Sequence, residues 1–463
     1  MNRQITFTLS LLAMLSLTAC QNTQVSGQSA VSIPAVFSHN GTQQTDLTQW
    51  WQAWHDPILT GLIERGLKQN PDYKIALSRL NEANANLDYR EADKGVNVAA
   101  NANAGANRRD VDTAFGIDSE GSATNLYGGL QASWEPDFFG KKQSDSDAAA
   151  FTRDAVQQQV YATQMLISAD IAEHYLNARA IQQQQKTAAR QIATLESLAK
   201  YVKGRFAAGH TTAYEVTETD SQISQAKARQ ATLQAQYAQE VRAIAVLLGE
   251  VPQQFNLPDG ANILANQPAA PLGPTPQGLL ERRPDLKAYA YQVQAAAAKV
   301  ASAKADLYPR FSINFMGEGG RISIDGDTAL KGWLGMASAG ITAPIFTNGR
   351  IQANINAADA RLKTALLDYD KALLNALKDV DTAYHLQQSL ARQIQLLRQA
   401  KSQSEQQAND AEKLFKYDKK TLDSTINARL NAINVQNNLI QSELSQSKAL
   451  IGVYKALGGG WKP

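Results

Sequence analysis

Two long stretches of this 463-residue chain lack the residues that stop helices. Proline is absent between Pro136 and Pro252 and again between Pro344 and Pro463. Glycine is absent from Lys141 to Lys203 and from Arg350 to Ile451. A helix-interior proline costs ~3 kcal/mol and a glycine ~1 kcal/mol relative to alanine, so these stretches are free to stay helical. Runs such as ARAIQQQQKTAARQIATLESLAKYV and ALLNALKDVDTAYHLQQSLARQIQLL set apolar residues three and four apart among Gln, Ala, Lys and Glu. That is amphipathic helix of coiled-coil character. A helix from Lys141 to Lys203 would be ~95 Å long at 1.5 Å per residue, more than most globular domains can use.

The two stretches belong to a duplication. FFGKKQSDSDAA corresponds to FTNGRIQANINAA, RFAAGHTTAYEV to LFKYDKKTLDST, and VLLGE to KALGG. Gly140 and Gly349, Phe206 and Phe415, Thr212 and Thr421, and Gly249 and Gly458 are each 209 residues apart. NPDYKIALSRLNEANANLDYREAD at Asn70 likewise corresponds to RPDLKAYAYQVQAAAAKVASAKAD at Arg283. Seven of the 14 prolines fall between Pro252 and Pro284 and mark the joint. The sequence divides into 1–19, 20–55, a first repeat 56–250, a Pro-rich joint 251–280, a second repeat 281–458 and a tail 459–463.

Between the shorter and longer helical blocks of each half lie two strand-like segments. In VNVAANANAGANR, Ala100, Ala102, Ala104 and Ala106 alternate with Asn101, Asn103 and Asn107. In NLYGGLQASWEPDFF, Leu126, Leu130, Ala132 and Trp134 oppose Tyr127, Gln131, Ser133 and Glu135. PRFSINFMGEGGR sets Phe311, Ile313 and Phe315 against Ser312, Asn314 and Glu318, and WLGMASAGITAPIF alternates more weakly. Segments of about 10 to 13 residues, polar on one side and joined by Gly- or Asp-rich connections, suit strands that cross an outer membrane.

An open sheet of four strands would leave edge N–H and C=O groups in hydrocarbon, and four strands are too few to close a barrel. Several chains must combine. Three would give one shared 12-stranded barrel and a 12-helix tube below it, although periodicity itself leaves the number open.

The N-terminus gives an address. After Met1-Asn2-Arg3-Gln4, Ile5 to Leu17 is a mostly apolar run of 13 residues. It covers about 20 Å, short of a ~30 Å hydrocarbon core, and reads as an export signal. Leu17-Thr18-Ala19-Cys20 resembles the bacterial lipobox, in which the cysteine is lipidated and becomes the new N-terminus. Gln21 follows rather than the Asp that retains such lipoproteins in the inner membrane, which implies the periplasmic face of the outer membrane. Acyl chains (palmitate among them) on Cys20 would hold the protein there.

Composition excludes other classes. With 45 basic and 43 acidic residues the net charge is +2, which offers no basic stripe for nucleic acid. The single cysteine forbids an intramolecular disulfide. The five histidines are too scattered for a local metal motif, and no phosphate loop, GxSxG or HExxH occurs. No catalytic residue, metal or cofactor is expected beyond the lipid on Cys20. Asp56-Pro57 reads as a helix cap, and Trp50, Trp51 and Trp54 as packing for the first helix.

The order of lipobox, WWQAWHDPILTGLIERGLKQNPDYKIALSRLNEANA, hairpin, long helix pair and second copy resembles the outer membrane factor family of TolC/OprM/NodT type. The opening at Trp51, Asp56, Pro57 and Leu59 resembles its lipoprotein branch, as do NPD at Asn70, RRPD at Arg282, and Arg205, Phe206 and Gly209. The resemblance implies a mainly α channel-tunnel with a membrane β part: an internally duplicated homotrimer in the cell outer membrane with a long periplasmic part. It would be a passive exit duct for drugs and other small toxic compounds, serving an inner-membrane pump through a periplasmic adaptor. A type I protein-secretion duct, a poreless lipid-anchored coiled-coil scaffold and a cell-wall hydrolase lipoprotein are the rival readings.

By the same resemblance the turns near Gly209 and Asp418 are periplasmic tips. Arg205, Phe206, Gly209, His210, Thr212, Phe415, Asp418 and Thr421 are the adaptor-contact candidates. Arg205, Tyr417, Asp418 and Asp423 are the gate candidates, and three copies of a tip carboxylate would form an acidic ring. Lys419 and Lys420 depart from the family's usual second-tip pattern.

Overall fold

A computed structural model describes residues 31–33, 47–111, 119–271, 276–417 and 419–462. The expected signal segment, Cys20 and Asp418 lie outside the described residues. The helices are α1 (Pro57–Gln69), α2 (Pro71–Ala92), α3 (Lys141–Ala207), α4 (Ala213–Leu247), α5 (Pro276–Arg282), α6 (Pro284–Ala305), α7 (Arg350–Lys416) and α8 (Leu422–Ala456). The strands are β1 (Asn97–Val111), β2 (Ser119–Trp134), β3 (Arg310–Ile324) and β4 (Asp327–Thr342). The duplication appears as equal lengths: 22 residues for α2 and α6, 15 for β1 and β3, 16 for β2 and β4, 67 for α3 and α7, and 35 for α4 and α8.

Two compact units share the chain. Leu80–Val156 and Tyr289–Tyr369 form one, and the remaining described residues form the other. The first holds the sheet, in the order β1-β2-β3-β4, with every neighbouring pair antiparallel. Below the strands, Val300, Ala303, Ile351, Ile355, Ala358 and Leu362 form a small core. Phe139 stacks on Tyr308 at 4.8 Å and Phe138 meets Phe311 edge-on at 5.0 Å. Lys141–Asp306 at 2.8 Å and Lys299–Asp145 at 2.7 Å link the two halves of the duplication.

In the second unit the starts of α1, α2 and α6 are held by the residue before a proline. Asp56 Oδ1 accepts from the N–H groups of Ile58 at 2.8 Å and Leu59 at 3.0 Å, while Pro57 supplies the fixed φ of the first position. Asn70 Oδ1 accepts from Asp72 and Tyr73, and its Nδ2 donates to Leu247 O at 2.8 Å. In the second copy Arg283 stands before the proline, binds the Asp285 carboxylate through Nε and Nη2, and donates Nη1 to Ala456 O at 3.3 Å. Each repeat thus ties the start of a short helix to the end of its returning long one. The chain turns away there at Gly249 (φ +69) and Gly458 (φ +73), where a side chain is strained and a Cβ would meet Gln69 O at 2.9 Å or Arg282 O at 3.1 Å.

The core of this unit gathers Trp50, Trp51 and Trp54 with Ile171, Tyr175, Leu248, Leu450 and Tyr454. Trp50 stacks on Tyr454 at 5.1 Å, and the three tryptophans share this core with Leu59, Leu62 and Ile63 of α1, so they pack the first helix as expected. Burial of such rings supplies the largest single contributions, about 3–5 kcal/mol each on truncation to alanine.

The strands are longer than the alternation alone indicates. Residues 322–332, expected as a connection, continue β3 and β4 up to a two-residue turn at Asp325 (φ 51) and Gly326 (φ 90). Two left-handed central residues give a tight hairpin turn matched to strand twist, so the ladder zips to its end despite the Gly- and Asp-rich composition. Ser122 N donates to Asp325 Oδ1 at 2.6 Å and Asp325 N donates to Ser122 O at 2.7 Å, tying this turn to β2.

Candidate functional site

Register sorts the sheet into two faces. Val98↔Ala132, Ala100↔Leu130 and Ala104↔Leu126 place one set together, and Leu126↔Arg321, Ala132↔Phe315 and Trp134↔Ile313 carry it onto β3. Phe311↔Ile341, Ile313↔Ala339 and Gly319↔Trp333 complete it on β4. This face is apolar and open: Trp333 is 86% exposed, Ile341 68% and Val98 64%. The opposite face carries Asn97, Asn101, Asn103, Asn125, Tyr127, Gln131, Ser133, Ser312 and Asn314. A cavity of about 510 Å³ opens among Asn97, Ser133, Ser312 and Asn314, with Glu135 and Lys142 at its margin. One face suits hydrocarbon and the other suits water over β1, β2 and the start of β3, while Leu330, Leu334 and Met336 keep its β4 part apolar. β1 and β4 are the edges, and among the described residues each presents an unpaired row of backbone groups.

The two turns expected as tips share one backbone bond, from the residue after the turn to the carbonyl five residues earlier. In the first, His210 N donates to Arg205 O at 2.8 Å and Gly209 N to Phe206 O at 3.0 Å, with Gly209 at φ +77. This is the reverse turn that ends a helix on a left-handed residue. In the second, Lys419 N donates to Leu414 O at 2.9 Å and Tyr417 N to Leu414 O at 3.2 Å. The starts of the returning helices differ. Thr421 Oγ1 accepts from Ser424 N at 3.2 Å, whereas Thr212 makes no side-chain cap bond.

Most candidate side chains are solvent-facing. Phe206 is 48% exposed and Tyr417 77%. Arg205 Nη2 donates to His210 O at 3.0 Å, and its guanidinium lies 5.8 Å from the Tyr201 ring centroid. Tyr201 in turn meets Phe415 edge-on at 5.9 Å, so Arg205 and Phe415 are brought together through Tyr201. Asp423 accepts from Asn427 Nδ2 of its own helix at 3.3 Å. Among the described residues Arg205 and Asp423 form no ion pair with each other.

Several buried polar groups were not visible in the sequence pattern. Tyr175 donates to Asp56 Oδ2 at 2.7 Å, and burial together with that acceptor holds its phenol well above the ordinary range. Arg179, 2% exposed, donates to Pro258 O at 2.7 Å and Gln182 Oε1 at 2.9 Å and stacks over Tyr175. Burial pushes Tyr454 up to about 12, aided by Tyr384. Burial also raises Glu443, against the pull of Arg398 at 3.0 Å. Burial would raise Asp145 and Asp306 too, but Lys299 and Lys141 respectively outweigh it and hold both carboxyls below their ordinary value. These shifts follow from packing and pairing, as structural staples do. Among the described residues no cluster of three or more His, Cys, Asp or Glu is placed to hold a metal ion. No described helix is long and apolar enough to cross a membrane.

A sequence model described as outer membrane efflux protein matches residues 62–250 and 275–459, one match for each repeat. The chain is 28% identical over 459 residues to the pyoverdine export outer membrane protein OpmQ of Pseudomonas aeruginosa, covering 97% of this chain and 96% of that protein. Its fold resembles the outer-membrane channel OprN, with a TM-score of 0.81, 24% identity and coverage of 94% and 98% of the two chains. It also resembles the open state of the Neisseria gonorrhoeae MtrE outer membrane channel, with a TM-score of 0.79, 25% identity and coverage of 94% and 97%.

Proposed function

Since the chain belongs to the outer membrane efflux protein family, it is the outer membrane channel component of an efflux system, and we propose that three copies assemble into its duct. The observation that carries this reading is the four-stranded sheet, apolar on one face and amide-rich on the other, with both edges unpaired. In hydrocarbon each open backbone group costs several kcal/mol, so the edges must be closed by further strands. β4 of one copy against β1 of the next closes twelve strands with the amide face inward, wide enough for a bore. The long helices α3, α4, α7 and α8 of the same three copies continue the wall in the periplasm.

The duct performs no chemistry of its own. Transport is driven by an inner-membrane pump working through a periplasmic adaptor, and the exported compounds are small molecules rather than polypeptides, as relatives named for pyoverdine export, antibiotic efflux and toluene efflux suggest. Residues 56–250 and 281–458 act as the two repeats around the 251–280 joint. Cys20 carries the lipid that adds a second membrane attachment. The tips at 205–212 and 415–421 face the adaptor, with Arg205, Tyr417, Asp418 and Asp423 holding the closed state.

Purified protein is expected to migrate as a heat-modifiable trimer and to give single-channel conductance in planar bilayers. A monomer without conductance would overturn the duct. Within it, Asp418→Ala/Asp423→Ala trimers should conduct more than wild type, and equal conductance would remove those carboxylates from the gate. Cys20→Ser should weaken targeting yet leave trimers that insert; loss of all membrane association would favour an anchored scaffold.

A further inference from the structure

Arg321 of β3 and Lys331 of β4 are direct partners across the antiparallel ladder. Both lie on the apolar face, where Arg321 is opposite Leu126 on β2 and Lys331 is two residues from Trp333 on β4. Both are exposed, and among the described residues neither pairs with a carboxylate. Like charges directly opposite in a ladder repel, with Cβ atoms only about 5 Å apart. Two cations on a lipid-facing surface, without an anion of their own among the described residues, form an unbalanced arrangement.

Their position along the strand accounts for it. From Phe311 to Arg321 the strand advances ten residues, roughly 33 Å at 3.3 Å each. At a barrel tilt near 40° that is about 25 Å of height, the thickness of the apolar band of an outer-membrane barrel. Phe138, Phe311 and Trp134 mark the helix-side border of the band, and Trp333 lies near the other. The cationic pair is one step beyond Trp333, towards the Asp325–Gly326 turn, and so at the headgroup level of the leaflet away from the helices. A register shift beside it, between Ile322 and Ser323, marks the place where the strand pair leaves regular geometry.

We propose that Arg321 and Lys331 bind the phosphate groups of the phosphorylated glycolipid that forms the outer leaflet, a lipid A-type headgroup. This rests on the barrel reading above, which sets the pair's height and outward direction. A phosphate seated between the two side chains turns their repulsion into a shared contact. The guanidinium fork engages two phosphate oxygens and the ammonium adds a point charge. Leu126 and Trp333 lie below, level with the acyl chains. Three copies place three such sites around the barrel.

The test uses full-length trimers in nanodiscs, released for native mass spectrometry. The discs contain bisphosphorylated lipid A, the same lipid with both phosphates removed, or neither glycolipid but added inorganic phosphate. Wild type is compared with Arg321→Gln/Lys331→Gln and with the charge-preserving Arg321→Lys/Lys331→Arg. Retention of bisphosphorylated lipid A should fall roughly 5-fold per basic side chain removed and roughly 30-fold for both. The charge-preserving variant should keep most of it. Dephosphorylated lipid should bind wild type and the Gln variant equally weakly, and inorganic phosphate alone should leave no adduct.

Equal retention by the Gln variant would overturn the proposal. So would equal binding of both lipids by wild type, meaning that the side chains only snorkel to water. A phosphate adduct without lipid would make the pair a general anion site and overturn it as a glycolipid site. Should the Gln variant fail to assemble, discrimination between the two lipids by wild type still decides. Single-channel conductance of wild type keeps the outcomes separable: a conducting trimer that ignores lipid phosphate refutes this site alone.

Discussion

Asp56 makes both contacts of one carboxylate count, and removing it should separate their energies. Oδ1 caps α1, and the loss of such a cap costs about 1 kcal/mol. Oδ2 accepts from Tyr175, fully buried, so truncation also leaves that hydroxyl without a partner, at about 1–3 kcal/mol. Asp56→Ala should therefore destabilise by about 2–4 kcal/mol. Asp56→Asn keeps the cap oxygen and turns an amide donor towards the hydroxyl, which then accepts, so its cost should stay near 1 kcal/mol. Unfolding entropy of ~2.1 cal/mol/K per residue gives about 1 kcal/mol/K for this chain, so Asp56→Ala should lower a calorimetric midpoint by about 2–4 °C. Tyr175→Phe removes the stranded hydroxyl, and the double variant should cost about 1–2 kcal/mol less than the two singles added together. Strict additivity, or Asp56→Asn as damaging as Asp56→Ala, would refute the two-contact account.

Gly260→Ala would bring a Cβ to 2.9 Å from Arg179 Cζ and 3.2 Å from Ile58 Cδ1. By displacing a buried guanidinium from Pro258 O it should cost about 2–4 kcal/mol, and the cost should shrink in an Arg179→Ala background. Thr421→Ala should destabilise the start of α8 by about 1 kcal/mol and Thr212→Ala the start of α4 by much less, since only Thr421 makes a cap bond; local hydrogen exchange would read the difference. Asp145 and Asp306 have folded pKa values below the ordinary 3.8. Their stabilisation is complete above that pH and lost as pH falls through the folded values, so Lys141→Gln/Lys299→Gln should flatten the acid limb of a stability–pH curve. Glu443 runs the other way: raised above 4.5, it lowers stability as pH rises from there through its folded value, and Glu443→Gln should remove that decline.

What was legible in the sequence was what has a local or periodic cause. Helix length followed from missing breakers, the cap at Asp56 from its dipeptide, and the two sheet faces from alternation that the ladder register reproduces. The 209-residue offset anticipated the paired closures at Gly249 and Gly458. What was not legible depends on partners distant in sequence. Nothing near Arg179 announces Pro258, and nothing near Tyr454 announces Trp50. The strand ends were misplaced because Gly and Asp near 325 have low strand propensity, while hairpin geometry and ladder bonds decide the outcome. Lys331 looked like a residue of a polar connection for the same reason, and Arg321 like the last residue of the strand segment before it. Only the register places them opposite each other on the apolar face.

The sheet also explains why the chain separates folding from function. Its units have their own cores at Trp50–Tyr454 and at Val300–Leu362, so each can order as a single copy. The strands cannot be finished in the same way. Among the described residues β1 and β4 keep their outer backbone rows free, and Trp333, Leu130 and Ile341 stay uncovered. In water that face is an association hazard, and in lipid those edges are forbidden. Only lipid on the apolar face, together with neighbouring strands on both edges, satisfies the two demands at once. Insertion and assembly are therefore coupled: an inserted single copy violates the edge condition, and an assembled barrel outside lipid leaves its apolar band in water.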